Sequence, residues 1–221
     1  MRLRGWTTAG AAGVVLIFEL LASCWTMAGQ VSVEFEVALG PAALGKDLYQ
    51  MAMWVSDAEN RHLATVYVTE AVGRLGLGNG YMRLFGIVLR EEPGALPVWA
   101  WSRGVHYGKK VYPPKTEPLP DAITGATPAV EQFVRTLSIT LPGSLASIRP
   151  YLEVNVTGDR VPSMVFSGVL PVDLNWSSTE LEFVGCGDSQ GRSGRLQGDC
   201  GKGAPERFVR RVQVRLVPET Q

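Results

Sequence analysis

An all-β sandwich is the fold this sequence predicts, on three observations. Apolar and polar residues alternate with period two along several stretches. Gly 25 and Pro 14 make up about 18% of the chain, against roughly 12% in an average protein, so helix interiors are repeatedly interrupted. Short runs of β-branched and aromatic residues recur between turn residues, and no stretch carries a convincing amphipathic helical stripe. Two packed antiparallel sheets satisfy all three.

The elements follow in order. Val31, Val33, Phe35 and Val37 share one face and Ser32, Glu34 and Glu36 the other, which predicts a strand half exposed to water. Tyr49 to Ser56 and Leu63 to Thr69 are apolar, β-branched and aromatic, and the polar connection between them has hairpin length. Glu70 to Val130 is the least regular stretch. It holds Gly76, Gly78 and Gly80, the turn Glu91-Glu92-Pro93-Gly94, and a loop over 108–128 containing Pro113, Pro114, Pro118, Pro120 and Pro128. Irregular chain of that length inside a domain is usually functional or disordered. Alternation returns with Phe133, Leu137, Ile139 and Leu141, then Tyr151 to Val156 and Val161 to Phe166, and Val169 to Leu174 continues the run beyond Gly168 at a bulge. Near the end Phe208, Val212, Val214 and Leu216 oppose Arg207, Arg211, Gln213 and Arg215, a strand with a basic, solvated face. About eight strands result.

The chain of 221 residues, 46% hydrophobic, has the size of one globular domain. Lys+Arg and Asp+Glu number 21 each, so no basic excess is available to neutralise a phosphate backbone, which excludes nucleic acid as a partner. Residues 1–28 read as an export signal: Arg2 and Arg4 precede an apolar or small run from Thr8 to Phe18, shorter than the ~20 apolar residues of a membrane span. Its end has two readings. Leu21-Ala22-Ser23-Cys24 resembles a bacterial lipobox, in which Cys24 takes the lipid and becomes the first residue; the other reading is ordinary cleavage after Ala28. An uncleaved membrane anchor or a miscalled start is the plainer alternative. On the export reading residues 30–221 form the single sandwich domain outside the cytoplasm, in the periplasm, soluble or lipid-anchored. Export also allows Cys186 and Cys200 to close the polar loop 186–200, which has little apolar content to hold its own shape; such a bridge contributes ~3 kcal/mol on the chain-entropy model. In a cytosolic chain they would be two free thiols. Three Cys and two His make no ordinary four-ligand zinc site unless remote segments converge, and no metal is expected.

Several motifs have two readings. Gly187-Asp188-Ser189-Gln190-Gly191 matches G-x-S-x-G, which makes Ser189 the nucleophile of a serine-hydrolase reading. The glycines after it forbid the helix a nucleophile elbow needs, and the only histidines, His62 and His106, stand in no recognisable triad setting. The glycines around Asn79 read as a turn. His106, between aromatics and the pair Lys109-Lys110, suits an anionic ligand or a structural hydrogen bond. Trp54, Trp99, Trp101 and Trp176 either stack on a flat ligand or fill and cover the core. Asn155-Val156-Thr157 and Asn175-Trp176-Ser177 match glycosylation acceptors, which matter only in a eukaryotic secretory pathway.

The most specific string is Asp121-Ala122-Ile123-Thr124-Gly125-Ala126-Thr127. It resembles the D-x-x-[S/T]-G-A-T motif on which bacterial flavin transferases attach FMN, through a phosphoester, to the last threonine. That resemblance makes Thr127 the attachment residue and Asp121, Thr124, Gly125 and Ala126 the recognition motif. Gly125 and Ala126 present no bulk at the entrance of a transferase pocket, and the preceding prolines are expected to hold the loop extended, away from sheet pairing. Pro128 departs from the pattern, because Ala129 and Val130 follow where a further hydroxyl residue is common. The alternative is an ordered turn leading into the strand at Phe133, with Asp or Thr bonded to the backbone.

A broader likeness runs roughly from Leu48 to Val156. Met53-Trp54-Val55-Ser56-Asp57-Ala58-Glu59, Leu96-Pro97-Val98-Trp99, Ser102-Arg103-Gly104 and the string from Pro120 to Pro128 resemble the predicted periplasmic domain-of-unknown-function 2271 family. The resemblance implies an exported, immunoglobulin-like antiparallel sandwich. Its implied partners are a flavin transferase and a membrane reductase of PepSY type. The part after Ser177 departs from that family. Two functions follow as expectations: a non-hydrolytic accessory or electron-transfer module with covalent FMN on Thr127, shielded by Trp99 or Trp101, or a cofactor-free adaptor that binds an envelope protein.

Overall fold

The structure, a computed structural model, describes residues 29–44, 49–73, 83–84, 87–88, 95–104, 123–125, 128, 130–156, 162–173, 176–198, 200–201 and 204–218. Thirteen strands occur among them: β1 (Gly29–Leu39), β2 (Tyr49–Ser56), β3 (His62–Thr69), β4 (Arg83–Leu84), β5 (Ile87–Val88), β6 (Ile123–Gly125), β7 (Gln132–Leu141), β8 (Ser147–Val156), β9 (Met164–Ser167), β10 (Leu170–Pro171), β11 (Ser177–Glu180), β12 (Glu182–Cys186) and β13 (Val209–Pro218). Two short helices, α1 (Glu70–Gly73) and α2 (Pro97–Ser102), lie between strands.

The strands form the expected sandwich. One sheet has the order β11-β13-β1-β7; the other has the order β12-β9-β8-β2-β3-β6, with β10 also paired to β8. Phe35 and Val37 of β1, Val212 and Val214 of β13, Met51 and Met53 of β2, and Leu152 and Val154 of β8 are fully buried members of one apolar cluster between the sheets. The outer face of the first sheet is polar. There Arg215 sits between Glu34 and Glu36 at 3.1 and 2.7 Å, so the acidic face read in β1 meets the basic face read in β13.

The centre of the second sheet is covered on both sides. Every residue of β2 is buried. Its outward residues Ala52 and Trp54 join Val68, Val165, Leu96 and Trp99 in a second apolar cluster beneath α2. A strand enclosed on both faces has no reason to alternate, which is why this run is almost continuously apolar.

The hairpin between β2 and β3 turns at Asp57, whose carboxylate accepts the backbone N–H groups of Glu59 and Arg61 at 3.0 and 2.8 Å. Asn60 adopts φ 64°, a left-handed conformation that asparagine tolerates. Beyond Gly168, β10 continues along β8 where β9 leaves off, and among the described residues of the expected Val169–Leu174 run only Leu170 and Pro171 are strand. Strands β11 and β12 fall where none was expected: one alternates half-buried with exposed polar residues, and the other exposes Phe183 and Val184, so neither carries the apolar signature of a core strand. Within the stretch read as irregular, α2 is too short to show a helical period and begins with Pro97, whose missing N–H costs nothing in a first turn.

Candidate functional site

The site is built on the outer face of the second sheet, and Glu153 holds it together. This side chain points outward from the middle of β8 and is fully buried. Its carboxylate accepts the backbone N–H groups of Val98 and Trp99 at 3.2 and 2.8 Å and the Ser163 hydroxyl at 2.5 Å. Leu96 precedes α2 and provides no side-chain cap, so Glu153 satisfies donors that a helix start leaves without partners. Burial pushes the Glu153 carboxyl up to about 7, against the opposing pull of the bonds from Ser163, Trp99 and Val98. Gly187 closes on the same place: a Cβ there would lie 2.4 Å from Ser163 Oγ and 2.6 Å from Pro97 Cγ.

Beside Glu153 runs a groove of about 640 Å³. Trp54 and Tyr151, cross-strand partners on β2 and β8, stack with ring centroids 4.9 Å apart and planes 6° from parallel. The Tyr151 hydroxyl donates to Asn60 Oδ1 at 2.7 Å, which ties this floor to the hairpin turn. Trp101 and Ser102 of α2 contribute to one wall, and residues 193–196 of the Cys-closed loop form another. The two walls touch. A Cβ at Gly194 would lie 2.3 Å from Trp101 Cβ, so only glycine permits this approach, and the Trp101 indole N–H points at the Gly191 carbonyl at 3.4 Å. Among the described residues Arg195 is the only charged one lining the groove, and it makes no ion pair with any of them.

A directed hydrogen-bond chain sets the helix wall. The Trp99 indole N–H donates to Thr65 Oγ1 at 3.1 Å, and Thr65 Oγ1 lies 3.1 Å from His62 Nε2. His62 Nδ1 lies 3.0 Å from Ser102 Oγ, whose proton goes to the Trp99 carbonyl at 2.8 Å. With the Ser102 proton committed to the Trp99 carbonyl, Nδ1 donates to Ser102 Oγ, and Nε2 pairs with Thr65 Oγ1.

Among the residues singled out from sequence, Trp101 lines the groove, whereas Trp99 is fully buried in the outer cluster and offers no ring face to a ligand. Trp54 floors the groove, and Trp176 is exposed elsewhere. Thr124 and Gly125 belong to β6, which pairs in parallel with β3: Thr124 opposite Val68, Gly125 opposite Thr69. This corrects the expectation that the string stands away from sheet pairing, because Ile123–Gly125 completes the edge of the second sheet. Asp121, Ala126 and Thr127, together with Cys24, His106, Asn79, Asn175, the 1–28 segment and most of the 108–128 loop, lie outside the described residues. Cys186 and Cys200 form the disulfide, with Cα atoms 5.6 Å apart.

Ser189 is exposed in a turn shaped by Asp188, which accepts the N–H groups of Gln190 and Arg192 at 3.0 and 3.1 Å. Gly191 has φ 65° there, and both ring nitrogens of His62 are engaged with Ser102 and Thr65. Asn155 is buried and donates to the Ala95 carbonyl at 2.9 Å, so its amide serves packing rather than modification. Glu153, Tyr151 and Arg195 escaped the sequence reading. The usable signal was the lone acid in the apolar run Tyr151-Leu152-Glu153-Val154, since a carboxylate amid core residues must be partnered.

Compared with protein families, curated proteins and solved structures, the chain has no significant match in any of the three. Among the described residues no helix is long and apolar enough to cross a membrane.

Proposed function

We propose that this chain is an exported accessory module that carries FMN on Thr127 through a phosphoester and serves electron transfer in the cell envelope without hydrolytic chemistry of its own. The observation that carries the reading is that the motif is anchored on both sides. Ile123–Gly125 pairs with Tyr67–Thr69 of β3, and the Tyr49 hydroxyl donates to the Pro128 carbonyl. In sequence, Thr127 falls between these two fixed points, Gly125 and Pro128. Gly125 has a local reason as well, since a Cβ there would meet the Tyr67 ring at 3.1 Å.

A bound flavin supplies the redox chemistry, and the chain supplies its attachment and surroundings. The likeness to the periplasmic family implies a flavin transferase and a PepSY-type membrane reductase as partners. The Cys186–Cys200 disulfide supports an oxidising compartment. A cofactor-free adaptor is the second reading, favoured by β12, an edge strand of the second sheet that exposes Phe183 and Val184.

Co-expression of the full chain with a flavin transferase, followed by in-gel flavin fluorescence, separates the two. A fluorescent wild type and a dark Thr127→Ala variant are expected. A dark wild type overturns the flavin reading, and fluorescence that survives Thr127→Ala overturns the site. For the anchor, incorporation of a lipid precursor that is lost in Cys24→Ser is expected under the lipobox reading; its absence in wild type overturns that reading.

A further inference from the structure

We propose that the groove between α2 and the Cys-closed loop is a binding site for a small planar anion, an arene carboxylate or sulfonate in chemical class, distinct from the place of flavin attachment. Shape, charge and rigidity each point there. Tyr151, half-buried and backed by the fully buried Trp54, presents aromatic carbon on one side, and Trp101 and the exposed Leu196 add apolar surface on the walls, so a flat unsaturated ring has partners around it. Among the described residues Arg195 is the sole charge in the lining, no carboxylate joins it, and no ion pair occupies it. A guanidinium at the rim of an aromatic slot complements one negative group on the edge of the ring.

The walls are pre-assembled. The disulfide closes the loop at its base, Gly194 packs on Trp101, and the hydrogen-bond chain through His62 fixes Ser102, so little ordering remains to oppose binding.

The groove is also remote along the sheet from the modification motif. His62 borders the groove wall, while Gly125 pairs with Thr69 at the other end of β3, seven residues on, roughly 23 Å away at strand rise. The groove ligand is therefore a second, diffusible molecule and does not require the covalent flavin.

The test is titration calorimetry on the full chain expressed without a flavin transferase, so that failure of this proposal and failure of the flavin reading stay separate. Naphthoate is the probe, with neutral naphthamide and non-planar cyclohexanecarboxylate for comparison. Saturable one-to-one binding of naphthoate is expected, weakened about tenfold or more by loss of the charge in naphthamide or in Arg195→Gln. Cyclohexanecarboxylate is expected to bind more weakly than naphthoate. Arg192→Gln, exposed in the same loop but outside the lining, keeps wild-type affinity. In proton–nitrogen NMR spectra the Trp101 indole signal moves on addition of naphthoate and that of Trp176 stays in place.

The proposal is overturned by absence of saturable naphthoate binding at millimolar concentration. It is equally overturned if naphthamide or cyclohexanecarboxylate binds as tightly as naphthoate, if Arg195→Gln binds as wild type, or if the shifts fall on Trp176 instead of Trp101.

Discussion

The two sheets of this sandwich obey different rules. The first turns one face to the core and one to water, so β1 alternates buried Val33, Phe35 and Val37 with half-buried Ser32, Glu34 and Glu36. The second is enclosed on both faces at its centre, and β2 buries all eight of its residues. The difference locates the groove. A sheet face that α2 and a disulfide-closed loop both cover holds a buried carboxylate, a histidine bonded through both ring nitrogens and an aromatic groove. The solvated face of the first sheet carries charge pairs that cross-strand geometry alone explains.

Truncation of side chains on the two outer faces breaks this contrast most severely. Trp99→Ala removes a fully buried indole from the outer cluster and the donor to Thr65, and is expected to cost about 3–5 kcal/mol in urea unfolding. Val134→Ala, on the outer side of β7, is expected to stay within about 0.5 kcal/mol. Comparable losses at the two positions would mean that the second sheet is not enclosed. Removal of the disulfide by Cys186→Ser and Cys200→Ser together is expected to cost about 3 kcal/mol in the same assay.

Glu153 sharpens the contrast through pH. Its folded carboxyl lies at about 7 against an ordinary 4.5, so the folded state holds the proton more tightly than the unfolded chain. The stability from this group is complete below the ordinary value and is lost as pH rises through the folded one. The urea midpoint of wild type relative to Glu153→Gln is therefore expected to fall between about pH 4.5 and about pH 8; parallel profiles would contradict this. The smallest effect belongs to the first sheet. Arg215→Ala removes the pairs with Glu34 and Glu36 and is expected to cost less than about 1 kcal/mol, shrinking further in high salt.

Legibility from sequence tracks the same division. Strands β1, β7 and β13 announce themselves by alternation because water sits on one side of each, and the β2–β3 hairpin by two apolar runs around Asp57 to Arg61. The disulfide was legible because an apolar-poor loop between two cysteines has little else to close it. Helix α2 was not, since six residues fall short of two helical turns and its cap comes from Glu153, distant in sequence. The same holds for the groove. Trp54 meets Tyr151, and Trp101 meets Gly194, only through sheet register and loop packing, which no local pattern encodes. Parallel pairing of Ile123–Gly125 likewise depends on a free edge of β3, while the motif that contains these residues was read for its chemistry alone.

The flavin on Thr127 is the central claim, and fragment-ion mass spectrometry tests it most directly. The full chain is co-expressed with a flavin transferase that modifies a known acceptor in parallel, and the peptide spanning Asp121 to Thr127 is sequenced. The mass of FMN, attached as a phosphoester, is expected on Thr127. An unmodified Thr127 beside a fully modified control acceptor, or the flavin found on Thr124 instead, would contradict it.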